Sequence, residues 1–165
     1  MAKKFEHWCD GEYDDKETKF VIGEMAENLY KELENYMLYD IRKDLDASTD
    51  PQDILARNYI VKRFYSMLDN AEKVELNVKS ANSIYALYGV DYEWRRKLWI
   101  ASRSYCFQLI AQLKHITPIM IKGVNIRKYT RLSKKYSDLS VKIKNIMVSD
   151  DTRKKKSCRQ YLPIV

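Results

Sequence analysis

Few residues of this chain have the types and spacing that catalysis or metal binding requires. A di-iron bundle needs Glu-x-x-His pairs, and neither His7 nor His115 has a glutamate three residues before it. A zinc site needs clustered cysteines and histidines, and His7 with Cys9 has no second pair at such a spacing. Cys106 is expected to be a small buried side chain, and no phosphate loop or nucleophile motif occurs. We therefore predict no catalytic residue, no metal site, no cofactor and no enzymatic activity.

The lysines and arginines offer different chemistry, because they are concentrated in one half of the chain. Residues 1–91 contain 12 Lys and Arg against 19 Asp and Glu, whereas residues 92–165 contain 18 against 4. A solvated helix surface normally mixes both signs, and a block this one-sided has a field that extends beyond its own contacts. The layout favours a molecule that binds a polyanion on one side only.

The candidate phosphate-binding residues lie in two predicted helices near the C-terminus. RNA is favoured over sequence-specific DNA, since no helix-turn-helix or other groove-reading pattern is visible and backbone and shape contacts remain. The alternative is that a lysine-rich face only keeps the protein soluble. Tyr129 and Tyr136 are not counted as base-stacking residues, because they lie on an apolar stripe. The predicted RNA-binding residues are Arg95, Arg96, Arg103, Arg127, Lys128, Arg131, Lys134, Lys135 and Lys142.

Four apolar stripes at three- and four-residue steps predict the helices that position these side chains. The predicted helices cover about 18–46, 51–83, 92–116 and 126–147. Asp50 and Pro51 form a strong helix start, and Gly89 and Asp91 are expected to end the second helix and begin the third. Four amphipathic helices with short connections predict an all-α, antiparallel up-down four-helix bundle.

The domain boundaries and the compartment follow from composition and length. A chain of 165 residues is expected to form one domain, with an N-terminal arm over 1–17, the bundle over 18–148 and a basic C-terminal tail over 149–165. The tail is expected to be mobile until it binds. Three widely spaced cysteines imply no disulfide framework, and no signal-peptide or membrane-spanning run occurs. We therefore predict a cytoplasmic protein that does not associate with a membrane.

A homo-oligomer is predicted from the number of aromatic residues. The chain has 13 Tyr and 3 Trp, more than one small core requires, and exposed aromatics commonly mark interfaces. The residues expected at such an interface are Tyr39, Tyr59, Tyr65, Tyr92 and Trp99.

The order of the helices and their charge resemble a known family. The third helix reads Leu-Trp-Ile-Ala-Ser-Arg-Ser-Tyr from Leu98, an Ile-Thr-Pro break follows, and the fourth reads Arg-Lys-Tyr-Thr-Arg-Leu-Ser-Lys-Lys-Tyr-Ser-Asp-Leu from Arg127. The second helix contributes Asn-Ala-Glu from Asn70 and Ala-Asn from Ala81. Over about 21–148 the chain is similar to the accessory variability determinant proteins of diversity-generating retroelements, relatives of the bundles encoded in ribosomal RNA intervening sequences.

That resemblance implies a function as well as a fold. It implies a pentameric, non-catalytic accessory protein that binds a reverse transcriptase and its template RNA and supports mutagenic cDNA synthesis. The alternative is a helical structural or connector protein of a phage, whose basic face would contact DNA or an acidic protein neighbour. A neighbouring gene for a reverse transcriptase, next to a near-repeat of a coding segment, would decide between the two.

Overall fold

The computed structural model describes residues 13–45, 51–84, 89–116 and 125–160, and it contains four helices. They are α1 (Tyr13–Leu45), α2 (Pro51–Ser83), α3 (Gly89–Lys114) and α4 (Ile126–Gln160). The described residues contain no strand, which confirms the all-α prediction. No helix within those four ranges is long and apolar enough to cross a membrane.

The helices pack as a ring in chain order. Contacts join α1 to α2, α2 to α3, α3 to α4 and α4 back to α1. Polar contacts between α3 and α4 show that these two run in opposite directions, because Arg95 bonds to Asp150 and Arg103, further along α3, bonds to the earlier Ser140 of α4. The predicted four-helix bundle is confirmed.

Most of the core comes from the predicted apolar stripes, but the prediction is wrong for Ile54 of α2 and Trp94 of α3, which were assigned to these stripes and are 46% and 58% exposed. The stripe of α4 is the clearest case, since all its members after Ile126 are buried. We expected Tyr92 and Trp99 at an intermolecular interface. That prediction is wrong for both residues, because they are buried within the protein's own bundle. The buried members of the α4 stripe are Tyr129, Leu132, Tyr136, Leu139, Ile143 and Ile146.

Local signals predicted some helix starts correctly. Pro51 occupies the first position of α2, where its missing N–H costs nothing. α4 begins at Ile126 as predicted, and Asn125, which we expected only in the connection, caps it by accepting a hydrogen bond from the backbone N–H of Arg127 at 3.1 Å. The predicted start of α3 is wrong: the helix begins at Gly89, and Asp91 lies inside its first turn, where a carboxylate favours the positive end of the helix dipole.

Both bundle ends extend beyond the predicted boundaries. α1 begins at Tyr13, inside the segment assigned to the arm. The predicted end of the fourth helix near Met147 is wrong, because α4 continues to Gln160 through most of the segment assigned to a mobile tail. The apolar stripe does stop near Met147, and polar contacts with α3 hold the continuation. We call residues 149–160 the α4 extension; the remainder of the predicted arm and tail lies outside the described residues.

Candidate nucleic-acid interface

The outward side of α4 carries a row of four cations. Arg127, Arg131, Lys134 and Lys142 are all exposed, and their spacing of four, three and eight residues places them on the side opposite the buried stripe. None of them forms an ion pair with another described residue. Asp138 is also exposed on this side, one helical turn from Lys134 and from Lys142. The four predicted residues therefore form an open positive surface, which we call the α4 row.

Lys128 lies on the same helix but is turned toward α1. Its ammonium is 2.7 Å from the Asp40 carboxylate, and only 15% of its side chain is exposed. It also lies 5.1–5.4 Å from the ring centroids of Tyr36, Tyr39 and Tyr129, within the range of cation–π attraction. The predicted RNA-binding residue Lys128 is therefore set apart from the α4 row, because its charge is engaged with Asp40.

Asp40 and Glu32 hold α4 against α1. The Tyr129 hydroxyl donates to Asp40 at 2.5 Å, and burial raises the pKa of this tyrosine, so it remains a donor at neutral pH. Lys135 donates to Glu32 at 2.6 Å, although much of its side chain remains exposed. Lys135 therefore lies at the edge of the α4 row with a partner already in place.

The prediction that Arg95 is a surface cation is wrong, because its side chain is only 1% exposed. Its Nε and Nη2 donate to the two carboxylate oxygens of Asp150 at 2.6 and 3.1 Å, a bidentate pair across α3 and α4. Its Nη1 donates to the backbone carbonyl of Ile84 at 3.0 Å, just beyond the end of α2. A single side chain thus joins three helices, and its burial keeps it away from any RNA at the surface.

The other predicted cations of α3 stay at the surface. Arg96 lies 3.7 Å from Asp151 with its side chain partly exposed. Arg103 donates through Nε to the Ser140 hydroxyl at 3.4 Å, and its guanidinium carbon lies 5.4 Å from the ring centroid of Phe107. Both cations adjoin α4, so the structure brings the α3 and α4 candidates onto neighbouring surfaces.

No family model, curated protein or solved structure matches this chain. What the surface binds must therefore be read from its own side chains.

Besides the contact of Arg96 with Asp151, three polar contacts hold the α4 extension to the beginning of α3. The Tyr92 hydroxyl donates to Asp151, and burial followed by this hydrogen bond raises the pKa of Tyr92 to about 12. Lys154 donates to Glu93 at 2.9 Å, and the Arg95 pair with Asp150 lies beside them. In the sequence, the adjacent Asp150 and Asp151 ahead of a basic run are the only signal for this contact between α4 and α3.

The remaining chemical candidates have structural roles. Cys106 is fully buried, as predicted, and burial raises the pKa of its thiol to about 12, so it is a poor nucleophile. His115 follows the last residue of α3 and is exposed. His7 and Cys9 lie outside the described residues. Among the described side chains no group of three His, Cys, Asp or Glu residues comes together as a metal site would require.

Proposed function

We propose that this protein is a non-catalytic accessory factor that binds RNA through α3 and α4 and delivers it to a reverse transcriptase. The observation that carries the RNA part is the α4 row. Its ends, Arg127 and Lys142, are separated by about 22 Å at the 1.5 Å rise of a helix. A rigid line of exposed cations suits an extended phosphate backbone, and each phosphate neutralised releases counterions.

Three glutamates of α1 and α2 differ in sign from the α4 row, and this supports an oriented complex. Burial raises the pKa of the Tyr30 hydroxyl, and the charges of Glu34, Glu72 and Glu75 raise it further. Glu75 is also paired with Lys79 at 2.6 Å, so the negative charge is local. This cluster suits a protein surface of opposite charge better than it suits RNA. The identity of that protein as a reverse transcriptase, and the role in mutagenic cDNA synthesis, rest on the family resemblance.

The RNA proposal can be tested with two variants of equal charge change. Arg131→Glu with Lys134→Glu reverses two charges of the α4 row, and Arg42→Glu with Lys62→Glu reverses two exposed cations of α1 and α2. We expect the first variant to bind RNA at least about tenfold more weakly, with the slope of log affinity against log salt smaller by roughly 2. The control should keep most of its affinity. Filter binding across a salt series measures both quantities.

Two results would contradict the RNA proposal. One is equal loss in both variants, which would mean that total charge matters and the α4 row does not. The other is an affinity of the wild type for RNA that does not change with salt concentration. Either would favour the phage structural protein. The polymerase part is tested separately, by co-purification with a reverse transcriptase encoded beside this chain; failure to form that complex with RNA binding intact would remove only that part.

A further inference from the structure

Two aromatic rings lie exposed on α3, and each has its own cation. Trp94 is 58% exposed and Phe107 is 54% exposed, values that are unusual for such large apolar side chains. The Lys97 ammonium lies 5.3 Å from the Trp94 ring centroid, and the Arg103 guanidinium lies 5.4 Å from that of Phe107. Trp94 was predicted to lie on the apolar stripe of α3, and Phe107 was assigned no role.

The rings are the two ends of one diagonal line across α3. Residues three apart on a helix form a ridge inclined to its axis. Trp94, Lys97, Ile100 and Arg103 follow this ridge, and Phe107 lies one turn further on. Thirteen residues separate the two rings, which is about 20 Å along the helix. The Phe107 end adjoins α4, because Arg103 contacts Ser140 there.

The charge along this line has a single sign. After Glu93, α3 contains no acidic residue as far as its last residue, Lys114. Glu93 itself is 2.9 Å from Lys154 and so is already paired. A line of exposed rings and cations without acids has the chemistry of single-strand binding, in which bases stack on rings and phosphates meet the cations.

Two other occupants fit the line less well. A duplex keeps its base faces stacked inside the helix and would leave both rings unused. A second protein that covered Trp94 would have to bury the Lys97 ammonium beside it, whereas lysine is depleted at the centres of protein interfaces. The rings and cations therefore favour a nucleic acid with unpaired bases.

We propose that Trp94 and Phe107 are stacking positions for unpaired bases of an RNA strand that crosses α3 and continues onto the α4 row. This inference rests on the proposed RNA-binding function and specifies its ligand as single-stranded. Lys97 and Arg103 would meet the phosphates between the two stacked bases.

The test compares single-stranded RNA with a duplex of the same length. Trp94→Leu with Phe107→Leu keeps apolar side chains and removes both rings. We expect it to bind the single strand about 100-fold more weakly, which is about tenfold per ring, and to bind the duplex like the wild type. Trp94→Phe with Phe107→Tyr keeps both rings and should retain most of the single-strand affinity. Leu76→Ala, which removes an exposed apolar side chain of α2, should change neither affinity.

Tryptophan fluorescence gives a second, independent readout. In a Trp8→Phe background the remaining tryptophans are Trp94 and the buried Trp99. We expect single-stranded RNA to quench the Trp94 signal, which Trp94→Phe identifies by its loss, and duplex RNA to leave it unchanged.

Three results would overturn the inference, and they separate it from the proposed function. If the leucine variant binds the single strand like the wild type while Arg131→Glu with Lys134→Glu does not, RNA binds through cations only and the proposed function stands. If light scattering gives a lower mass for the leucine variant than for the wild type while its affinity for single-stranded RNA is unchanged, the rings belong to an interface between copies of the protein. If the wild type binds neither RNA, both proposals fail.

Discussion

At the scale of single residues, the most consequential contact is the pair formed by Arg95 and Asp150. Both side chains are almost fully buried, at 1% and 6% exposure, and Arg95 also satisfies carbonyls at the end of α2. Removing water from two charges is costly, so such a pair adds little net stability over an apolar replacement. Removing only one partner of the pair is strongly destabilising, because the other charge then remains buried without a partner.

We predict that Asp150→Ala lowers the free energy of unfolding by about 3–5 kcal/mol, because Arg95 would remain buried without its carboxylate. Asp138→Ala, an exposed acid on the same helix, should change it by less than about 0.5 kcal/mol. Urea denaturation followed by circular dichroism measures both. Similar values for the two variants would mean that the pair does not organise this end of the bundle.

A second residue-scale prediction concerns Tyr92 and alkaline pH. The pKa of Tyr92 rises from an ordinary value of 10.0 to about 12 in the folded protein, first through burial and then through its bond to Asp151. Between these values the unfolded chain loses the proton and the folded chain keeps it, so folding weakens as pH rises from 10 to 12. Tyr92→Phe should make this decline shallower than in the wild type. Identical slopes in urea denaturation at pH 9 to 12 would contradict it.

At the scale of elements, the α4 extension shows how a helix outlasts its apolar stripe. Beyond Met147 the continuation gains little from burial, and contacts of Asp150, Asp151 and Lys154 with α3 take over. Polar contacts also hold the other end of α4, where the Asp40 carboxylate accepts hydrogen bonds from Lys128 and Tyr129. Polar contacts thus fix α4 at both ends, and apolar packing fixes its middle.

We predict that Tyr92→Phe combined with Glu93→Gln speeds amide hydrogen exchange in residues 149–160, because two of the contacts that hold this segment are lost. Exchange in 129–146 should stay unchanged, since the buried stripe holds that part of α4. Asp91→Asn, a neighbouring acid without a described contact to α4, is the matched control. Equal exchange in all three proteins would show that the extension is helical without support from α3.

At the scale of the whole molecule, the balance of charge differs between the helices. α1 has nine Asp and Glu against five Lys and Arg, and α2 has four against five. α3 has two against five, and α4 has three against twelve. This imbalance orients the protein with α3 and α4 toward a polyanion. Apolar side chains are also exposed on every helix, including Tyr39, Leu55 and Val141.

The homo-oligomer remains a prediction, and fewer of the residues expected at its interface are exposed than the sequence indicated. Tyr39, Tyr59 and Tyr65 are exposed as expected, whereas Tyr92 and Trp99 are not. We expect light scattering at micromolar concentration to give a multiple of 19.7 kDa, because exposed apolar surface of this extent favours association. Tyr59→Lys with Tyr65→Lys should lower the mass. A wild type that stays at 19.7 kDa without a partner would contradict the prediction.

The sequence by itself determined the helices and the bundle, because apolar spacing and local caps such as Asn125 and Pro51 act within a few residues of chain. It also determined that cations outnumber acids in residues 92–165 and not in residues 1–91. Only the tertiary structure decided which cations are open. Arg95 and Lys128 look like Arg127 and Arg131 in sequence, yet their partners Asp150 and Asp40 are 55 and 88 residues away. A distant carboxylate leaves no local pattern, since its position depends on how the helices pack.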